Sequence, residues 1–258
     1  MSQQLSVIRT VGRTGPATTD TELHLHLLGG FRLEIAGTQV SLPTHAKRVL
    51  VYLAVSSRAQ AGCSRLMLAD QLWSEADGER AQASLRTALW RIRQVDRRLL
   101  AVEQDSLRLG HAVQVDLHEA LDQAGRLLEE DVVLRPADTA IPSLSTELLP
   151  GWDEEWLLLE RERVHQVQLH ALDTLAARLR RSGRYSEAVN AAMTSIAIDP
   201  LRESARRELI AAHLEEGNLA AAHGQFEDYA TALWAELRLR PSPALPDLLA
   251  RSEQARRA

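Results

Sequence analysis

The sequence predicts a mainly α-helical protein with a small β component confined to its first half. Three patterns carry that expectation. Strict two-residue alternation begins at Leu23, three- and four-residue apolar steps take over after Pro43, and the last third of the chain echoes itself at an offset of 34 residues.

Residues 1–22 show no period and contain the breaker Gly15-Pro16, so they read as a flexible leader. From there Leu23, Leu25 and Leu27 point one way, with His24 and His26 between them, and Gly29-Gly30 signals a turn. Phe31, Leu33 and Ile35 alternate with Arg32 and Glu34; Ala36-Gly37-Thr38 turns again, and Val40 and Leu42 close a third strand. This is an antiparallel meander with one buried face. Pro43-Thr44 then opens a helix, with Thr44 as its N-cap and Val49, Leu50, Leu53 and Ala54 as its stripe. Ser64 caps a second helix, Arg65 to Trp73, whose stripe is Leu68, Ala69, Leu72 and Trp73. Asp77 and Glu79 lie at the start of a third, where acids suit the helix dipole. Its stripe of Leu85, Ala88, Leu89, Ile92, Val95 and Leu99 carries it to about Leu100. Ala101-Val102-Glu103 and Leu107-Arg108-Leu109 make a hairpin around Gln104-Asp105-Ser106, and Val113 and Val115 suggest one more strand before Asp116. Strands, three helices and a closing hairpin are the layout of a winged helix-turn-helix, with the hairpin as the wing. The expected DNA-binding unit is residues 23–116.

Residues 117–258 read as helix, with a loop-like interruption from roughly Val132 to Gly151 that holds Pro136, Pro142 and Pro150. A long helix follows Asp153. Gly183-Arg184-Tyr185-Ser186-Glu187-Ala188 is then echoed by Gly217-Asn218-Leu219-Ala220-Ala221-Ala222, and Leu175 and Leu209 obey the same spacing. That is the tetratricopeptide (TPR) period, so this part is expected to be a TPR-like helical-hairpin stack.

Composition bounds the chemistry. The 258 residues are 45 % hydrophobic and 25 % charged, the profile of a folded globular chain. No apolar run reaches the length of a transmembrane helix, the first 22 residues hold no apolar signal core, and the lone Cys63 has no disulfide partner. These features point to the cytoplasm. The net charge of −5 conceals an asymmetry: residues 23–116 hold 12 cations against 9 acids, while residues 117–258 hold 16 against 24. Lys47 is the sole lysine.

The third helix is the main candidate site. Opposite its apolar stripe stand Thr87, Trp90, Arg91, Gln94 and Arg98, with Arg86, Arg93 and Arg97 at the edges. A helix in a major groove needs long donors: arginine reads guanine with a bidentate fork and glutamine reads adenine. Thr44, Lys47, Arg48 and Arg65 sit at helix starts, where free N–H groups suit phosphate. Trp90 is assigned to packing against a neighbouring helix in preference to a sugar-phosphate edge, and Trp152 and Trp156 to core packing. The His24/His26 and His165/His170 spacings match no zinc motif, and no phosphate-binding glycine loop or serine-nucleophile motif occurs, so no metal, cofactor or catalytic activity is expected.

The ordered motifs resemble those of the Streptomyces antibiotic regulatory protein (SARP) family. Leu27-Leu28-Gly29-Gly30-Phe31-Arg32-Leu33, Leu68-Ala69-Asp70-Gln71-Leu72-Trp73 and Ala83 to Arg93 look like its OmpR-type winged helix. Leu148-Leu149-Pro150-Gly151-Trp152, Glu160-Arg161-Glu162-Arg163, Asp199 to Ser204 and Pro241-Ser242-Pro243-Ala244-Leu245 are similar to its bacterial transcriptional activator domain. The resemblance implies a sequence-specific activator that binds promoter direct repeats as a dimer or multimer and contacts RNA polymerase and its sigma factor. It implies a recognition helix at 79–100, with Thr87, Arg91, Gln94 and Arg86 facing bases and Arg93 and Arg98 on phosphate. The ATPase, sensor and receiver domains of larger relatives are expected to be lacking. The rival readings are a protein-interaction adaptor and a ligand sensor, neither of which reads bases.

Overall fold

The structure, a computed structural model, describes residues 22–56, 62–103, 106–129 and 133–257. The expected leader (residues 1–21 of it) and the wing-tip residues Gln104 and Asp105 lie outside the described residues. Strands β1 (Leu23–His26), β2 (Arg32–Ile35) and β3 (Thr38–Val40) form the expected meander. Leu23 and Leu25 of β1 face Ile35 and Leu33 of β2. The β2–β3 turn is made by Ala36 and Gly37, both at positive φ (51° and 72°), the handedness that a tight hairpin requires.

Helices α1 (Thr44–Ser56), α2 (Arg65–Leu72) and α3 (Gly78–Val95) follow. The Ser64 hydroxyl accepts the Met67 N–H and the Asp77 carboxylate accepts that of Arg80, so two helix starts are capped as their sequences suggest. Thr44 is not a cap. It is the first residue of α1, and the carbonyl before it, on Pro43, accepts the Lys47 N–H. The buried stripe of α3 is Ala81, Leu85, Ala88, Leu89 and Ile92.

α3 ends five residues earlier than the apolar steps suggest. Asp96 is extended (φ −156°, ψ 129°), and its carboxylate caps a separate 3-10 turn over Arg97–Leu99. Leu99 is fully buried as expected, but from that turn. The wing is β5 (Leu100–Glu103) paired with β6 (Ser106–Leu109), joined by a two-residue strand β4 (Cys63–Ser64) that has no visible period in the sequence. Strand β7 (Val113–Val115) returns parallel to β1, giving the first sheet the order β3-β2-β1-β7.

The remainder is helical: α4 (Asp116–Leu128), α5 (Ile141–Ser145), α6 (Glu155–Arg181), α7 (Tyr185–Ile198), α8 (Glu203–Glu216), α9 (Leu219–Leu237) and α10 (Ala244–Arg257). α5 and a 3-10 turn at Pro136–Thr139 fall inside the stretch expected to be loop. The repeat is physical. Gly183 and Gly217 each turn the chain at positive φ (75° and 97°) between antiparallel helices, and Leu175 and Leu209 are both fully buried. No described helix is long and apolar enough to cross a membrane.

The helical part is welded to the winged part. Leu148, Leu149, Leu157 and Val164 share one core with Leu25, Leu27 and Leu50. The Leu149 N–H donates to the Leu27 carbonyl and the Gly29 N–H to that of Glu147. Asp116 accepts the N–H groups of Leu27, Leu28 and Leu117, so one carboxylate ties the end of β1 to the start of α4. Trp152 stacks on Phe31 (centroids 6.1 Å apart) and Trp156 meets Tyr52 edge-on (5.1 Å), so both tryptophans fill the seam.

Candidate nucleic-acid interface

α3 presents a row of exposed side chains away from the core: Ala83, Arg86, Thr87, Trp90, Arg91, Arg93 and Gln94. Its core side is held by α1 and α2, which leaves the opposite face open. A shallow groove runs beside it, lined by Pro43, His45 and Ala46 from the start of α1 and by Ala83, Ser84, Thr87, Ala88 and Arg91 of α3. Thr87 donates its hydroxyl to the Ala83 carbonyl (3.0 Å), which leaves its oxygen lone pairs and methyl outward. The Arg91 guanidinium lies over the Trp90 ring, 4.8 Å from its centre.

The winged part divides its arginines by use. Arg32 pairs with Glu34, Arg48 with Glu154, Arg80 with Asp77, Arg98 with Asp96 and Arg108 with Glu103. Among the described residues, Arg86, Arg91 and Arg93 pair with no acid. Three cations on one helix face, left without counter-charges in a chain whose other half is acidic, form a field suited to a polyanion.

The structure places some of the residues expected at phosphates beside this face and engages others in ion pairs within the protein. Thr44 is exposed at the start of α1, beside the groove, and Arg65 is exposed at the start of α2. Lys47 rests its ammonium on the Phe31 ring, 5.4 Å from the centroid, and stays partly accessible. Arg48 does not face solvent. Its fork meets Glu154 (Nε–Oε1 2.6 Å, Nη2–Oε2 2.9 Å), and it also donates to the Leu72 carbonyl at the end of α2 and lies over Trp73. Arg98 is off the helix altogether. It grips Asp96 (2.8 Å), and that hydrogen bond holds the Asp96 carboxyl below its ordinary range. Trp90, assigned to packing in the sequence, is 52 % exposed because α3 turns it away from α1 and α2.

Among the described residues no group of His, Cys, Asp and Glu side chains is placed to hold a metal ion. His26 lies 3.7 Å from Glu34 and 3.6 Å from Asp116 and stacks on His24, a surface cluster on the first sheet. Cys63 is buried beside the wing, where burial pushes its thiol up.

Fold and face together define a winged helix-turn-helix protein with a fused helical-repeat domain. Comparison with known proteins agrees. Residues 115–251 match the bacterial transcriptional activator domain. The chain is 30 % identical over 204 residues to the regulatory protein AfsR of Streptomyces coelicolor, an alignment that covers 73 % of this chain and 20 % of AfsR. A structure of Mycobacterium tuberculosis EmbR, solved in complex with a low-affinity phosphopeptide, superposes with a TM-score of 0.68 at 21 % identity. That match covers 91 % of this chain and 66 % of the EmbR chain, and it supports the fold. The chain belongs to the bacterial transcriptional activator domain family. It spans about a fifth of the length of AfsR.

Proposed function

We propose that this chain is a cytoplasmic, non-enzymatic transcription factor that reads a promoter sequence with α3 and activates by recruitment. The observation that carries the reading is the set of exposed arginines on α3 that have no acidic partner among the described residues. In the proposed complex α3 lies in the major groove. Arg91 and Arg86 take guanine edges, Gln94 an adenine edge, and the Thr87 methyl or hydroxyl a flanking base. Arg93, Lys47, Thr44 and Arg65 hold phosphates and fix the register. Arg48 and Arg98 have no place in this set, since both forks are engaged within the protein. The helical stack, rigidly joined through the shared core, presents its acidic surface to a second protomer or to RNA polymerase and its sigma factor. Dimers or multimers would form side by side on direct repeats.

The test is selection from a random duplex pool with the whole chain, followed by titration of the selected duplex at several salt concentrations. The reading expects an enriched sequence and an affinity that falls steeply with salt. Absence of any enriched sequence overturns it.

A further inference from the structure

The proposed reading leaves one exposed side chain on α3 without work. Trp90 stands 52 % exposed in mid-helix, and among the described residues its one ring contact is the Arg91 guanidinium. Neighbours i and i+1 diverge by about 100° around a helix. Arg91 has therefore folded back to cover the indole, and cation–π attraction holds it there. The ring leaves apolar surface at the centre of a cationic face, and covering that surface on binding would be favourable.

Its position says what covers it. Ala83, Thr87, Trp90 and Gln94 follow one another at steps of four, three and four residues, so they form one row along the midline of the exposed face, with Arg86 on one side and Arg91 on the other. In a helix laid in a groove, the midline faces the floor, and a long arginine fork on either flank reaches past the wall to a base edge on that floor. The floor carries base edges and the walls carry phosphates. The apolar feature on a major-groove floor is the 5-methyl group of thymine. We propose that Trp90 is a specificity-determining residue that reads a thymine through its 5-methyl group, and that its ring holds the Arg91 fork in place for a neighbouring guanine. This inference rests on the DNA-reading proposal above and names one base of the site.

The experiment uses the full chain and the duplex selected from a random pool, resynthesised with deoxyuridine at each thymine in turn, which removes the methyl group alone. For the wild type, one position should lose about three- to fivefold in affinity, the worth of burying one methyl group. Trp90→Ala should lose that sensitivity, and Trp90→Phe should keep it. Since Trp90 lies outside the core, both variants should retain the wild-type circular dichroism. Methyl-independent binding by the wild type overturns the inference, as does equal methyl sensitivity in Trp90→Ala, which would put the indole on the sugar-phosphate wall. A pool that yields no preferred duplex overturns the DNA-reading proposal itself, and this inference with it.

Discussion

Arg48 and Glu154 lie 106 residues apart and join the winged part to the start of α6. Removing one of them has a calculable cost. Arg48 Nη2 donates to Glu154 Oε2 at 2.9 Å, its Nε stands 2.6 Å from Oε1 as an ion-pair contact, and the two side chains are 18 % and 19 % exposed. Arg48→Met removes the guanidinium that lies over Trp73 and strips Glu154 of its ion-pair partner, leaving it, among the described residues, the Trp156 indole N–H at 3.1 Å. It also uncaps the Leu72 carbonyl. Breaking a fully buried pair costs about 3–5 kcal/mol. The residual water access on both partners reduces this, and we expect about 2–3 kcal/mol for Arg48→Met. Glu154→Gln keeps one neutral acceptor and should cost about 1–2 kcal/mol. The double variant should be less damaged than the sum of the two, with a coupling of about 1–2 kcal/mol in urea unfolding at fixed pH and salt. Additivity within about 0.5 kcal/mol would refute the claim that this pair is an energetic clasp.

Three other outcomes follow from named contacts. Arg93→Ala should weaken binding to every DNA sequence about equally and flatten the slope of log affinity against log salt by about one unit; a change confined to one sequence would move Arg93 to base reading. Asp138 is buried against Arg126 and Arg135, and although burial alone would raise its carboxyl, the Arg135 N–H and both guanidinium groups hold it at about 2. A carboxyl depressed from 3.8 to about 2 adds stability that is complete above its unfolded value and is lost as pH falls through about 4 to 2. Asp138→Asn should therefore be destabilised at pH 6, by about 2 kcal/mol, and show a shallower acid loss below pH 4; parallel curves for the two proteins would remove Asp138 from the acid response. Gly110 lies where a β-carbon would fall 1.7 Å from the Arg98 carbonyl oxygen, and its own N–H donates to Leu99 (2.9 Å). Gly110→Ala must push β6 off the turn that precedes β5, so thermal unfolding should show a loss of about 3 kcal/mol or more; a change under about 1 kcal/mol would contradict that contact.

Much of this fold is local, and local features are what a sequence displays. The β1–β3 meander follows from alternation, the starts of α2 and α3 from Ser64 and Asp77, and the repeat from two glycines that make equivalent turns. The end of α3 was hidden because Ile92, Val95 and Leu99 keep helical spacing across the break. Asp96 stops the helix through its backbone and its own carboxylate, which apolar spacing does not report. β4 is two residues long and α5 five, too short for any period. The Arg48–Glu154 pair is invisible in sequence for a different reason. A cation at a helix start looks the same in sequence whether it meets phosphate or a glutamate from α6, and only the shared core places Glu154 beside it. The exposure of Trp90, by contrast, is legible in the helix phase. The helix phase that puts Leu85, Ala88, Leu89 and Ile92 inward already places residue 90 on the open side.

In the proposed complex the outer face of α3 reads bases. The most direct test is the ratio of affinities for the selected duplex and for random-sequence DNA, measured side by side for the wild type and Arg91→Ala. Loss of a guanine fork should lower that ratio by roughly tenfold or more, equivalent to about 1–3 kcal/mol, with random-sequence binding nearly unchanged. An unchanged ratio would contradict the claim that this face, through Arg91, distinguishes one sequence from another.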